Sequence, residues 1–265
     1  MIEIMSKDKK SGKTVFLLKS TNPGFANSLR RVMQEEVPSM AIEDVEFVQN
    51  SSALFDEMIA LRLGLIPLTT DLKGYEIKGE KDEVSAKNSV KLTLKAKGPC
   101  TVYAEDLKSK DPKIKPAFPK IIIVKLLKGQ ELELEATAVL GRGKQHMKFA
   151  PCLAWYSYKP KVIVNNSSKD FAAFKDKFPP QIFKDNKIDV KLIEEHNLYE
   201  AVDGVNEDIV KVEKDASNFV FTVEPFGQLS VQEIVAAAAD RLNELLEEFS
   251  GKLTNAGVAE PGQMR

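Results

Sequence analysis

Cysteine is scarce in this 265-residue chain, and long apolar segments are absent from it. The only cysteines are Cys100 and Cys152, so a disulfide framework is excluded, and two thiols alone cannot hold a zinc ion or an iron–sulfur cluster. No run approaches the roughly 20 apolar residues that cross a bilayer, and the N-terminal residues lack the apolar core of a signal peptide. We therefore expect a protein of the reducing cytoplasm that makes no membrane contact.

Net charge is also nearly absent, because 38 Lys and Arg stand against 39 Asp and Glu, which gives −1 at pH 7. This balance excludes electrostatic binding of nucleic acid by the protein surface as a whole, so any contact with nucleic acid must be local. Arginine is scarce among the cations, although its guanidinium is the group best suited to bidentate, partly buried pairing. We expect Arg30 and Arg31 to recognise a partner, and pairing with nearby solvated acids is the alternative.

Two amphipathic helices are predicted near the ends of the chain. The first spans about 25–36, where Phe25, Leu29, Val32 and Met33 form one apolar stripe. The second follows a capping box, Ser230-x-x-Glu233, and spans about 20 residues up to Gly251. Its apolar residues recur in alternating steps of four and three, a heptad-type pattern that favours a facing helix in coiled-coil geometry, from this chain or another; burial against its own sheet is the alternative. That seam is Val231, Val235, Ala238, Leu242, Leu245 and Phe249.

The middle of the chain predicts a mostly antiparallel β module, with strands at 90–96, 101–103, 121–127 and 132–139. A separate extended segment at 40–48 changes its apolar phase midway, which predicts a bulge or a strand break near Glu43 and Asp44. A helix capped by residues 50–52 should bury the stripe of Leu54, Met58, Leu61 and Leu65 and leave Arg62 off it.

Two polar segments complete this organisation. Residues 71–89 are rich in Lys and Glu and predict a solvated hairpin or loop. Residues 165–217 predict a small, separate and loosely packed insert, with helical signal at 171–178 and strand signal at 190–193.

A basic loop at 141–148 is the main candidate for chemistry. Gly141 and Gly143 free the backbone there, and Arg142, Lys144 and Lys148 supply charge that suits a phosphate, but neither a P-loop nor a dinucleotide fingerprint is present. His146 and Cys152 could form a nucleophilic Cys/His pair only with an acidic partner, and the sequence spacing does not indicate one. We therefore expect both residues to be structural. No catalytic residue is predicted.

Several segments resemble RNA polymerase subunits related to bacterial alpha. The segment LFDEMIALRLGLIPL at 54–68 is similar to one found in the archaeal D subunits and in the third-largest subunit of eukaryotic polymerase II, rather than in alpha itself. The other similar segments occur in the family's order and are FANSLRRVM (25–33), VPSMAIEDV (37–45), VYAEDL (102–107), GKQHMKFAP (143–151) and the strand at 219–229.

The resemblance implies an α+β fold in which a discontinuous alpha-subunit-type dimerisation domain is interrupted by a β-rich insert domain. It assigns 1–48 with 156–164 and 216–250 to the dimerisation domain and 49–155 to the insert domain. Residues 165–215 would be a small ferredoxin-like remnant, and 251–265 a frayed tail.

The resemblance also implies a non-catalytic assembly subunit of multisubunit DNA-directed RNA polymerase, a nucleotidyltransferase complex. It would pair with the small alpha-like subunit L, form the platform for the second-largest subunit, join small subunits N and P, and meet nucleic acid only through the assembled complex. The L interface would comprise Phe25, Leu29, Val32, Met33, Val231, Val235, Ala238, Leu242, Leu245 and Phe249. The second-largest subunit would contact Arg30, Arg31, Arg62, Arg142, Lys144, His146 and Lys148.

Two departures from relatives bear on cofactors. Iron–sulfur cysteines of many archaeal relatives would fall in 165–215, and zinc cysteines of eukaryotic relatives would fall in 69–89, yet both segments lack Cys. We therefore expect no iron–sulfur cluster, no zinc and no other cofactor. The alternative function is a stand-alone nucleic-acid or phosphate-binding module that uses the 141–148 loop; a stand-alone enzyme would need a reactive cluster that the sequence does not contain.

Overall fold

The computed structural model describes residues 1–77 and 85–255, and they form a mixed arrangement of strands and helices. The helices are α1 (Pro23–Glu35), α2 (Asp56–Gly64), α3 (Phe171–Phe174), α4 (Val190–Glu195), α5 (Tyr199–Val202) and α6 (Val231–Asn255). The strands are β1 (Ile2–Lys7), β2 (Thr14–Leu18), β3 (Pro38–Asn50), β4 (Ser89–Lys97), β5 (Cys100–Tyr103), β6 (Lys108–Ser109), β7 (Ile122–Leu126), β8 (Glu131–Arg142), β9 (Cys152–Val164), β10 (Phe183–Lys184), β11 (Lys187–Ile188) and β12 (Val210–Pro225). The predicted hairpin at 71–89 lies partly outside the described residues.

The chain divides into two compact units. The first comprises Met1–Met5, Phe16–Ala26 and Tyr156–Phe221, and the second comprises Ser6–Val15, Asn27–Trp155 and the chain from Thr222 onward. These divisions differ from the domain bounds given above, which remain a prediction.

The second unit is built on an antiparallel sheet with the strand order β3-β8-β4-β6. Strands β3 and β8 pair from Pro38 opposite Arg142 to Asn50 opposite Leu132, and the register shifts between Ile42 and Asp44. The predicted bulge is therefore confirmed, because Glu43 has no partner of its own across the sheet. The predicted strands of the β module are confirmed as well.

Helix α2 differs from its prediction in both its start and its buried face. It begins at Asp56 without a side-chain cap, because the amide of Asn50 instead donates to the carbonyl oxygen of Leu54 at 2.9 Å. Its core residues are Ile59 and Leu63, whereas Met58, Leu61 and Leu65 are 50%, 63% and 58% exposed. The prediction of this stripe as buried was wrong, because the helix has two apolar faces and only one of them fits the core.

The first unit contains segments of a sheet with the strand order β1-β2-β12-β9. Aromatic rings pack on it: Phe16 stacks on Phe221 at 5.2 Å between ring centroids, and Tyr156 meets Phe221 at 5.2 Å. Such offset or edge contacts stabilise a sheet beyond simple burial. Strand β1 was not predicted.

The segment at 165–217 is better packed than its sequence suggests. A buried apolar cluster fills it, so the prediction of loose packing was wrong; it comprises Phe178, Ile182, Ile188, Ile193, Val202, Ile209 and Val210. The strand predicted at 190–193 is instead helix α4, because Asp189 caps it by accepting the N–H of Lys191 at 2.9 Å.

Helix α6 is longer than predicted. It passes through Gly251, which was expected to end it, and extends to Asn255, so the expected fraying does not apply to 251–255. The remainder of the predicted tail, 256–265, lies outside the described residues.

The two faces of α2 give a stability test. Leu63→Ala should lower the free energy of unfolding by about 2–5 kcal/mol, because it removes buried apolar contacts and leaves a cavity. Leu61→Ala on the same helix should change it by less than about 0.5 kcal/mol. Urea unfolding of both variants measures the difference, and equal losses would contradict this assignment of the faces.

Candidate protein-interaction surfaces

Helix α6 is anchored at its N-terminus by the predicted capping box, which is confirmed. Ser230 donates its backbone N–H and its hydroxyl to Glu233 Oε2 at 2.9 and 2.7 Å, and the N–H of Glu233 donates to Ser230 Oγ at 3.3 Å. These hydrogen bonds lower the pKa of Glu233 below its usual value. The first orphan amides of the helix are thus satisfied.

The two halves of α6 have different surroundings. In the first half, Val231, Ile234 and Ala238 are buried by this chain, and Ile234 was missed because it lies between the seam positions. In the second half, Leu242 and Leu245 are only partly covered, and Leu246 and Phe249 are each 60% exposed. The helix therefore docks on its own unit at one end and presents an apolar face at the other.

On α1, the predicted interface residues are divided. Leu29, Val32 and Met33 are buried in this chain, whereas Phe25 is 43% exposed.

The carbonyl oxygen of Met33 accepts a hydrogen bond from the thiol of Cys152 at 3.8 Å. Burial raises the pKa of that thiol to about 12, so Cys152 does not supply a thiolate at neutral pH.

An ion-pair cluster around Glu36 connects α6 with the end of α1 and with the basic loop. Arg241 Nε donates to Glu36 Oε2 at 3.2 Å, and Arg241 Nη1 reaches Glu244 and Glu248, each at 2.9 Å. Burial alone would lower the pKa of Arg241, but the hydrogen bonds to these carboxylates outweigh it and raise the pKa. Arg142 and Lys144 approach the same Glu36 at 3.9 and 3.8 Å.

Sequence reasoning missed both central members of this cluster. Arg241 and Glu36 are 205 positions apart, and their side chains are only 14% and 13% exposed. The scarcity of Arg is the one signal that could have drawn attention to Arg241, although it does not identify the partner.

The basic loop packs closely on the end of α1. A Cβ on Gly143 would lie 2.1 Å from the carbonyl oxygen of Gln34, so only glycine fits. The N–H of Lys144 donates to the Glu35 carbonyl at 2.9 Å, and that of Arg142 donates to Gln145 Oε1 at 2.9 Å. Because these two amides already have partners within the protein, neither is free to bind a phosphate.

The seven residues predicted for the second-largest subunit differ in their surroundings. Arg31 makes two hydrogen bonds with Glu35, and the charge of Lys144 also acts on Glu35. Arg30 bonds to Asn27 and Gln34 on its own helix.

The remaining members of that set lie against other parts of the second unit. Lys148 is 14% exposed and its Nζ donates to the Ile42 carbonyl at 2.9 Å beside the bulge, while Arg62 donates to the Ile123 carbonyl at 2.6 Å. His146 is exposed, and its Nδ1 accepts the N–H of Lys148 at 3.1 Å.

A second apolar surface was missed entirely. On α2 and the residue before it, Phe55 is 77% exposed and is joined by Met58, Leu61 and Leu65. Leu65 also lines a cleft of about 580 Å³, together with Phe118, Met147 and Gln228. Large exposed apolar patches of this kind mark interaction sites.

Residues 1–77 and 85–255 contain no group of three His, Cys, Asp or Glu side chains that could hold a metal ion. Within the same ranges, no helix is both long and apolar enough to span a membrane.

The sequence of this chain is similar to those of known proteins. Residues 43–151 match the family described as "RNA polymerase Rpb3/RpoA insert domain". Over 267 residues the chain is 39% identical to "DNA-directed RNA polymerase subunit Rpo3" of Pyrococcus furiosus, covering 95% of this chain and 97% of that protein. The same-named proteins of Thermococcus kodakarensis and Methanosarcina acetivorans are 38% and 37% identical, covering 96% and 94% of this chain and 98% and 96% of theirs.

The cluster around Glu36 predicts unequal roles for two arginines. Arg241→Met should lower the free energy of unfolding by about 2–3 kcal/mol, because it removes charge-assisted hydrogen bonds and leaves Glu36 largely buried without its nearest cation. Arg31→Met should cause no measurable loss, since the ion pair of Arg31 with Glu35 is exposed to solvent. Urea unfolding at low and high salt checks this, and a loss equal to that of Arg31→Met would refute the structural role of Arg241.

Proposed function

The chain belongs to the family of DNA-directed RNA polymerase subunit Rpo3, and we propose that its part in that enzyme is to hold other subunits together. It is a non-catalytic subunit of a multisubunit polymerase that works in transcription. The observation that carries the proposed role is the exposed apolar face on the second half of α6.

This face is suited to a helix of another subunit. Leu242, Leu245 and Phe249 repeat at the spacing of a coiled-coil seam, and Leu246 and Leu253 widen the apolar surface beside them. Apolar residues at this spacing insert as knobs between the side chains of a facing helix. The proposed occupant is the small alpha-like subunit, called L in archaea, which would also meet Phe25 on α1. Leu29, Val32 and Met33, which were also predicted for this interface, are buried in this chain.

The second-largest subunit is proposed to meet the exposed side chains of Arg31, Lys144 and His146 and the partly buried Arg30. Arg142, Arg62 and Lys148 would shape this surface through their bonds within the chain rather than by reaching outward. Charges with partners on their own chain position the backbone, whereas exposed Arg and Lys at an interface rim supply specificity.

Finer features of the assignment follow the resemblance. We propose that the chain corresponds to the archaeal D subunit of the cytoplasm, with a discontinuous dimerisation domain and a ferredoxin-like remnant at 165–215 that carries no cluster. Its two cysteines, one of them buried with a raised pKa, support the proposal that it holds no zinc or iron–sulfur cluster. Subunits N and P would join the same assembly, and the net charge of −1 supports contact with nucleic acid only through the complex.

A stand-alone phosphate or nucleic-acid module is less consistent with the geometry. In the loop at 141–148, the N–H of Lys144 donates to the end of α1 and that of Arg142 donates to Gln145. Arg142 and Lys144 pair with Glu36 and Lys148 pairs with Glu43, which reduces the charge that the loop offers to a phosphate.

The α6 face predicts the effect of charged substitutions on pairing. After co-expression with the small alpha-like partner, the wild-type chain should form a 1:1 heterodimer, and the double variant Leu242→Asp with Leu245→Asp should not. Phe249→Asp should have the same effect without a change in the fold, because Phe249 is 60% exposed in the free chain. A carboxylate in an apolar seam loses its hydration without gaining a partner.

Asn243→Asp adds the same charge on the exposed side of α6 and should leave pairing intact. Native mass spectrometry of the purified complexes gives the stoichiometry, and circular dichroism verifies folding. A stable wild-type monomer in the presence of the partner, or a Phe249→Asp chain that pairs normally, would overturn the proposal.

A further inference from the structure

The exposed apolar face of α6 is bordered on one side by charges. Arg241 precedes Leu245 by four positions and Glu248 follows it by three, so both are surface neighbours of Leu245 on the helix. Lys252 continues the same side one turn beyond Glu248. The other side of the face is bordered by uncharged residues, which are Ala239, Asn243 and Ser250. The face therefore has one charged edge, which consists of Arg241, Glu248 and Lys252.

A hydrogen bond runs along this charged edge. Arg241 Nη1 donates to Glu248 Oε1 at 2.9 Å and so spans about two turns of the helix. Lys252 and Arg142 also act on the charge of Glu248, but within the described residues neither donates a hydrogen bond to it. The hydrogen bond from Arg241 is the main cause that lowers the pKa of Glu248 below its usual value.

The rest of the chain holds Arg241 in place for this contact. Its Nε donates to Glu36 Oε2 at 3.2 Å, and both of these side chains are largely buried. The same guanidinium donates to Glu244 at 2.9 Å. Glu248, in contrast, is 53% exposed and is hydrated in the free chain. One end of Arg241 thus belongs to the fold, whereas the other end balances a charge at the border of the apolar face.

Pairing with another helix would change the surroundings of Glu248. A helix that covers Leu245 and Phe249 removes water from the side chains beside them. A carboxylate that loses its hydration without a cation opposes association, whereas one that keeps a charge-assisted hydrogen bond retains much of its stabilisation. The bond between Arg241 and Glu248 should therefore matter more for pairing than for the fold of the free chain.

We propose that Arg241 is a positioning residue of the α6 face. It holds the Glu248 carboxylate along the charged edge with its charge balanced, so that a facing helix can cover Leu245 and Phe249 without supplying a cation of its own. The inference rests on the proposed function, since it takes pairing through α6 as its premise. It adds a role in recognition to the role of Arg241 in anchoring the helix.

Competition for a limited amount of the small alpha-like partner tests this role. Wild-type and variant chains are mixed in equal amounts, and native mass spectrometry gives the ratio of the two heterodimers at equilibrium. Arg241→Met should be depleted on the order of tenfold, because Glu248 then enters the interface without its cation. Adding Glu248→Gln removes that charge, so the double variant should recover to within about threefold of wild type.

Glu36→Gln is the matched control, because it removes the buried anchor of Arg241 but keeps the charged edge. It should compete to within about threefold of wild type even if its thermal stability is lower, and Glu248→Gln alone should do the same. Circular dichroism and thermal unfolding verify the fold of each chain. If Arg241→Met alone does not fold, the same comparison is made in the Glu36→Gln background, where residue 36 no longer carries a charge that needs a cation.

Depletion of Arg241→Met that Glu248→Gln reverses supports the inference. Equal pairing of Arg241→Met and wild type overturns it. A double variant as depleted as Arg241→Met overturns it too, as does equal depletion of Glu36→Gln, because Arg241 would then act on pairing through the fold alone. A wild-type chain that forms no heterodimer would overturn the proposed function and this inference with it, which distinguishes that failure from the others.

Discussion

The hydrogen-bonded ion pairs around Glu36 link α6 to the rest of the second unit. Arg241 reaches Glu36 at the end of α1, and Glu36 also attracts Arg142 and Lys144 of the basic loop. Because Arg241 and Glu36 are both largely buried, removal of either side chain would leave the other charge without its hydrogen-bonded partner. The cluster lies where the buried half of α6 gives way to its exposed half, so it holds the exposed half in a defined direction while leaving its apolar face uncovered.

This arrangement is consistent with a subunit whose binding partners are other proteins. The buried thiol of Cys152, the occupied amides of the basic loop and the paired Lys148 are all used to build the chain itself. Among the described residues, the exposed apolar surfaces include the second half of α6, the outer face of α2, and Phe118 and Met147. Apolar surfaces of this kind are removed from water when the chain binds another protein.

Local patterns in the sequence were sufficient to locate most elements. The capping box at Ser230, the bulge at Glu43, α1 and the strands of the β module are all present, because each depends on residues close in sequence. Predictions failed where two local preferences competed: 190–193 is a helix once Asp189 caps it, and α2 buries Ile59 and Leu63 rather than its alternative apolar face. The resemblance to polymerase subunits, carried by motifs in order along most of the chain, indicated the family that the comparisons support.

The sequence by itself determined most of the elements, the lack of enough cysteines for a zinc or iron–sulfur site, and the family. Only the tertiary structure decided which apolar side chains are buried and which charged side chains form ion pairs within the chain. Periodicity places Leu29 and Phe249 equally on apolar stripes, yet one is buried and the other exposed. Likewise, Arg241 and Glu36 are 205 positions apart, and no local pattern joins them. The physical reason is that burial and ion pairing are properties of distant segments brought together, whereas helix capping and strand alternation belong to neighbours in the chain.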